Sequence, residues 1–192
     1  MSWTSPNGLH LVTGYVGEMH VTASNIGAYQ GQLTGKSNYT LNIGNTLNAS
    51  VSGSTVTIDT GVGIFQGRLF EVTEAETLNL ELLPNNYYQN DLVVARYEKD
   101  AETLIESITL MVISGERTTR ANTAIDPSYI NNNIIDDMSV TADMPLFRIK
   151  RGAGQVVVER IAEILDSTVI DEQDIDDIWG DTDVAFGDEV YF

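Results

Sequence analysis

Asn90-Asp91-Leu92-Val93-Val94-Ala95-Arg96-Tyr97 is the most strand-like run in the chain, and how it pairs decides the fold. Leu92 to Ala95 are continuously apolar, which predicts a strand covered on both faces. Arg96 to Asp100 turn polar, a second run follows from Ile105 to Ile113, and the two together predict a hairpin. In the second run Ile108, Leu110 and Val112 alternate with Ser107, Thr109, Met111 and Ile113, so its start is expected half exposed and its end covered. Asp100 to Ser107 is compatible with helix, but the β-branched residues beyond it favour strand. Asp91 and Arg96 are expected to be exposed or paired, with Glu106 or Glu98 as the partner of Arg96.

Outward from this hairpin, further short strands are expected at Gly8–Tyr15, Tyr39–Ile43, Leu47–Val51, Thr55–Asp59, Ile64–Val72 and Thr77–Leu82. Ser52-Gly53-Ser54 supplies a hairpin turn in which Gly53 takes positive φ. Leu78, Leu80 and Leu82 alternate with Asn79 and Glu81, placing the leucines on one inward face. A last hairpin joins Leu146–Arg151 to Gln155–Ile161 through Gly152-Ala153-Gly154, and Val156, Val157 and Val158 predict a buried second strand. Thr22–Tyr29 allows a single helical turn capped by Thr22 or Ser24; Gly27, Gly31 and Gly35 argue against a longer helix. Asp126–Ile135, with Pro127 after Asp126, predicts a turn or short helix. Short strands separated by Gly, Asn and Ser define the fold class as mostly β, an antiparallel β-sandwich or distorted barrel with short helical turns.

The chain divides into an N-terminal arm (1–7), a β domain (8–165) and an acidic C-terminal extension (166–192). Its 192 residues and hydrophobic fraction of 42% support a folded core rather than disorder. No apolar run approaches the ~18 residues of a membrane helix. Met1 to Leu11 lacks a basic start followed by an apolar stretch, so no secretory signal and synthesis in the cytoplasm are expected. With no cysteine, disulfides, thiolate metal sites and cysteine nucleophiles are excluded. A net charge of −18 disfavours nucleic acid. No Lys or Arg follows Arg160, whereas the extension carries ten acidic residues. Within it Asp171 is placed to cap a helix through Trp179 that gathers Ile175, Ile178 and Trp179 on one face. Together with Phe186, Tyr191 and Phe192 these residues form a candidate docking segment, because a purely solubilising tail has no need of aromatic residues.

No catalytic residue, metal ligand or cofactor site is nominated. Gly61-Val62-Gly63-Ile64-Phe65-Gln66-Gly67 is one residue too long for a dinucleotide fingerprint and precedes a strand, so a turn or bulge is expected there. His10 and His20 sit in no metal spacing, and no Gly-x-Ser-x-Gly elbow accompanies them. Asp171, Asp174, Asp176, Asp177, Asp181 and Asp183 depart from the calcium-loop pattern and read as a solvated face. Asp91 and Glu106 are carboxylates of undefined separation, which excludes assigning them a glycosidase role from sequence.

The order of several short pieces is similar to one family. His20-Val21-Thr22-Ala23, Tyr39-Thr40-Leu41-Asn42-Ile43-Gly44-Asn45, Gln66-Gly67-Arg68, the Asn90–Tyr97 run with Glu106–Gly115, and Asp143-Met144-Pro145-Leu146-Phe147-Arg148 span about residues 18 to 150. They resemble minor structural proteins of the tails and baseplates of phages and prophages of Gram-positive bacteria. The resemblance implies a non-enzymatic building block located in the virion tail near the host-recognition device. It implies a homo-oligomer, a trimer by analogy, with other virion tail proteins as partners, and a hydrogen-bonding rather than catalytic His20. The alternative from another class is a carbohydrate-binding module for the bacterial cell surface, with Tyr87 and Tyr88 as candidate glycan contacts. A cell-wall hydrolase would need paired carboxylates with divergent pKa values.

Overall fold

A computed structural model describes residues 23–165 apart from positions 36, 136 and 138. The arm, the Gly8–Tyr15 strand, both histidines, the capped helix at Asp171 and every candidate docking residue lie outside the described residues. Helix α1 (Ala23–Thr34) leads into β1 (Asn38–Gly44), β2 (Ala49–Ser52), β3 (Thr55–Ile58), β4 (Gly61–Phe65), β5 (Arg68–Val72) and β6 (Glu76–Asn79). Then come β7 (Tyr88–Lys99), β8 (Glu106–Ser114), β9 (Thr141–Gly152), β10 (Gln155–Arg160) and β11 (Ile164–Leu165). The strands form three sheets ordered β11-β1-β4-β5, β10-β9-β7-β8 and β2-β3-β6. All neighbours are antiparallel except β11 on β1. The protein is mostly β and sandwich-like, with no closed barrel among the described residues.

β7 is the spine, as its sequence predicts. Leu92, Val93, Val94 and Ala95 are all buried, between β8 on one side and β9 on the other. Alternation divides the two faces. Val93, Ala95 and Tyr97 join one core with Val56, Ile58, Leu80, Leu110, Phe147 and Ile149. The three-stranded sheet covers this face, with β2 beside β10 and β6 beside β8. Phe65 stacks on Tyr97 with ring centroids 6.0 Å apart, which ties the β11-β1-β4-β5 sheet to the same core. Each such large side chain, fully buried, contributes about 1.5–3 kcal/mol.

The opposite face of β7 lies against the irregular segment between β8 and β9. Asn90 Nδ2 donates to Ala124 O and to Asp126 Oδ1, and Arg148 on β9 donates to both Asp126 oxygens. β9 carries a bulge: Val93 faces Phe147 and Val94 faces Pro145, leaving Leu146 unmatched. A proline in a central strand is tolerated at such a break, and Leu146 O accepts instead from Ile161 N and Ala162 N.

Several expectations need correction. α1 runs to Thr34 rather than closing after one turn, and it stops at Gly35 with φ +65°. Its Gly27 is not a helix breaker but a contact surface. A Cβ built on Gly67 would lie 1.8 Å from Gly27 Cα, so backbone meets backbone there and tertiary packing overrides propensity. Ile64–Val72 is two strands, because Gln66 (φ 43°) and Gly67 (φ 79°) form a tight turn between Phe65 and its partner Arg68. Of the turn or short helix expected over Asp126–Ile135, the segment shows a turn at 134–135 and no helix; a short 3-10 turn lies earlier, at Ala121–Thr123. The end of β8 is half buried rather than covered, since β8 is an edge. Leu78 and Leu80 face inward, but the strand ends at Asn79 and Leu82 is 83% exposed. β10 is not buried: it too is an edge, with Val156 and Val157 exposed at 42% and 49%. Arg96 pairs with neither Glu106 nor Glu98. It makes a two-point contact with Asp143 on β9 at 2.7 and 2.9 Å, and Glu106 instead holds Arg68 of β5.

Candidate functional site

The β2–β3 turn, the β6–β7 connection and the β9–β10 hairpin tip converge at one end of the sandwich. Between them lies a cleft of about 380 Å³ lined in part by Glu81, Leu82, Pro84, Tyr87, Arg151 and Val156. Tight turns explain why these loops are close. Gly53 (φ +60°) closes β2 onto β3, and Leu80 N donates to Ser54 O at 2.8 Å, pinning the start of the next connection to that turn. Ala153 and Gly154, both at positive φ, close β9 onto β10 with Gly152 opposite Gln155.

A buried polar network anchors the lining residues Arg151 and Glu81 from behind. Asp91 is 0% exposed, and its Oδ1 accepts from Gln89 Nε2 at 2.7 Å and Gly115 N at 3.1 Å. Its Oδ2 stands 2.6 Å from Arg151 Nη2, misaligned for a hydrogen bond, so charge holds this pair. Arg151 Nη1 then donates to Glu81 O at 2.6 Å. Arg117 donates from Nη2 to Leu82 O and Glu81 Oε2, and from Nε to Gln89 Oε1. These residues lock the β6–β7 connection onto the sheet. The expectation that Asp91 is exposed or paired is met by pairing, with Arg151 on the adjacent strand β9.

Tyr87 and Tyr88 have separate fates. Tyr87, 38% exposed, lines the cleft beside Pro84. Tyr88 packs its ring on Gly152, where an added Cβ would come within 2.1 Å of Cδ1, so it props the cleft wall. The surface thus offers one accessible ring, exposed Leu82, and the polar side chains Asn85 and Gln155.

Two other concavities differ in character. One of about 510 Å³ lies between α1 and residues 131–135, with Gln66 at its base. Gln66 donates to Asn132 O at 2.8 Å and accepts from Ile134 N at 2.8 Å, which makes it a structural strut. A smaller one holds Arg68, Tyr97 and Glu106. The Arg68 guanidinium, 5.6 Å above the Tyr97 ring centroid, holds Glu106 below the ordinary carboxylate range, and burial raises the Tyr97 phenol. Hydrogen bonds from Arg148 likewise lower Asp126.

Asp91 and Glu106 are not brought together. Asp91 is opposite Ser114 and Glu106 opposite Lys99, the two ends of one hairpin. Eight residues at about 3.3 Å each put them roughly 26 Å apart, against about 5–9.5 Å between glycosidase carboxylates. Among the described residues no three His, Asp or Glu side chains gather to hold a metal. Gln66, Gln89, Asp143 and Arg151 are the site and strut residues that sequence reasoning missed. The polar lead-in to β7 was the one available signal, for Gln89. Comparison with protein-family models, curated proteins and solved structures finds no match to the chain.

Proposed function

We propose that the chain is a structural component of a phage or prophage tail or baseplate, assembling with itself and with other virion proteins near the host-recognition device. The observation that supports assembly is apolar surface: Leu69, Leu82, Leu104, Ile105, Val156 and Val157 stand exposed on edge strands and loops. Among these, Val156 and Val157 are neighbours on one open sheet edge, an unpaired apolar strand of the kind that pairs with another chain. The virion setting rests on the resemblance of the ordered motifs between about residues 18 and 150. Light scattering on the full chain tests the assembly. A defined oligomer is expected, losing subunits when the chain ends at Leu165 if the acidic extension is the clasp; a monomer at every concentration overturns self-assembly.

A second function, carbohydrate binding at the bacterial cell surface, is favoured by Tyr87 alone, because a sugar ring stacks on an exposed aromatic face while Asn85 and Gln155 offer hydrogen bonds. Titration with purified cell-wall polysaccharide checks it. Tyr87→Ala is expected to weaken binding at least tenfold, and equal binding by both proteins removes the cleft from consideration.

A further inference from the structure

The first four residues of β10 lack the devices that normally protect a sheet edge. Natural edges carry Lys, Pro, bulges or covering loops, yet Gln155-Val156-Val157-Val158 has no charge and no proline. Its hairpin fixes which backbone groups are spent. In a two-residue turn the flanking residues, Gly152 and Gln155, exchange both hydrogen bonds, and the pattern then alternates. Gln155, Val157 and Glu159 therefore turn their N–H and C=O toward β9, while Val156, Val158 and Arg160 turn theirs outward. Among the described residues β10 pairs with β9 alone.

We propose that a second copy of this chain adds its own β10 to this edge, antiparallel about a two-fold axis through Val157, merging two four-stranded sheets into one continuous sheet. The inference deepens the self-assembly proposed above and rests on it.

Three features fit this occupant. The first is register. With Val157 facing Val157 of the copy, Val156 faces Val158, and their outward backbone groups form the hydrogen-bonded pairs. Gln155 then lies opposite Glu159, a donor facing a carboxylate. A shift of two residues would move the axis to Val158 and set Val157 against Glu159, so side-chain chemistry selects the register centred on Val157. The second is charge. In a chain of net charge −18 this stretch is not acidic: Arg148, Lys150, Arg151 and Arg160 are offset by Glu159 within it and by Asp126 and Asp91 beside it. Two copies approach there with least interference from the acidic remainder. The third is exposure: Val156 and Val157 project from opposite faces of the strand, and both remain open to solvent.

A two-fold contact builds even-numbered assemblies, in contrast to the trimer suggested by analogy. The absence of cysteine makes the test specific. Facing residues in a non-hydrogen-bonded antiparallel pair have Cα atoms about 4.5 Å apart, within disulfide reach. In the full chain, Val157→Cys is expected to form a disulfide-linked dimer under mild oxidation, whereas the exposed loop variant Leu104→Cys is not. Val157→Lys, which sets two ammonium groups face to face on a solvent-exposed position, is expected to halve the mass seen by light scattering with unchanged circular dichroism. An oligomeric parent chain whose Val157→Cys does not cross-link, or cross-links no faster than Leu104→Cys, overturns the β10 contact and leaves self-assembly standing. A monomeric parent chain overturns both.

Discussion

The buried Asp91–Arg151 pair is the residue on which the loop end of the sandwich depends. Removing one partner leaves an uncompensated charge in the interior, which typically costs about 3–5 kcal/mol. Asp91→Ala is therefore expected to lower unfolding stability in urea by about that amount. Asp91→Asn, which still accepts from Gly115 N, is expected to lose less. Glu106 acts at the other end with a pH signature. Its folded pKa is depressed by Arg68, so its contribution is present above the ordinary value of 4.5 and fades as pH falls through the lower folded value. Because the carboxylate is partly exposed, the size is at most about 1 kcal/mol. Stability measured from pH 6 down to about pH 3 is expected to fall less in Glu106→Gln than in the parent chain.

At the scale of elements, the contact between α1 and the β4–β5 turn admits no side chain. Gly67→Ala sets a methyl 1.8 Å from Gly27 Cα at a φ of +79°, so overpacking and backbone strain combine. A loss of roughly 2–4 kcal/mol is expected in thermal or urea unfolding. Gly154→Ala, with open space around it, is expected to cost only the roughly 1–2 kcal/mol of its left-handed backbone. Elements were legible where the pattern was local. The Leu92–Ala95 run predicted a doubly covered strand, and Ser52-Gly53-Ser54 predicted its turn, because period and turn chemistry lie within a few residues. What was not legible depends on the third partner. Arg96 finds Asp143 because β9, not β8, lies on its charged side. The strand expected at Val156–Val158 is present but its expected burial is not, since β-branching reports backbone preference and an edge is decided by sheet order. The turn expected within Gly61–Gly67 sits at its end, at Gln66–Gly67, after a strand, and the length of α1 is masked by glycines that serve packing.

For the whole molecule, one hydrophobic cluster draws residues from all three sheets. Calorimetry is expected to show one cooperative transition for residues 23–165, and two separated transitions would contradict that shared core. The candidate cleft was legible only in part, through Tyr87, because the network behind it is assembled from β7, β9 and the β6–β7 connection. The net charge of −18 opposes the proposed self-association. Repulsion between acidic surfaces is screened by salt, so self-association is expected to strengthen between 20 and 300 mM salt, roughly as the Debye length falls from about 20 Å to below 8 Å.

β11 adds to β1 in parallel, with Thr40 beside Ile164. On a ribosome the two are made far apart in time. β1 and β4 emerge early, yet the strand that covers the free side of β1 follows 124 residues after Thr40, a delay of about 6–25 s at about 5–20 residues per second. During that interval the nascent chain carries an open, partly apolar edge at Tyr39 and Leu41. Newly made copies crowded on one messenger are then most vulnerable to pairing with each other before either is complete.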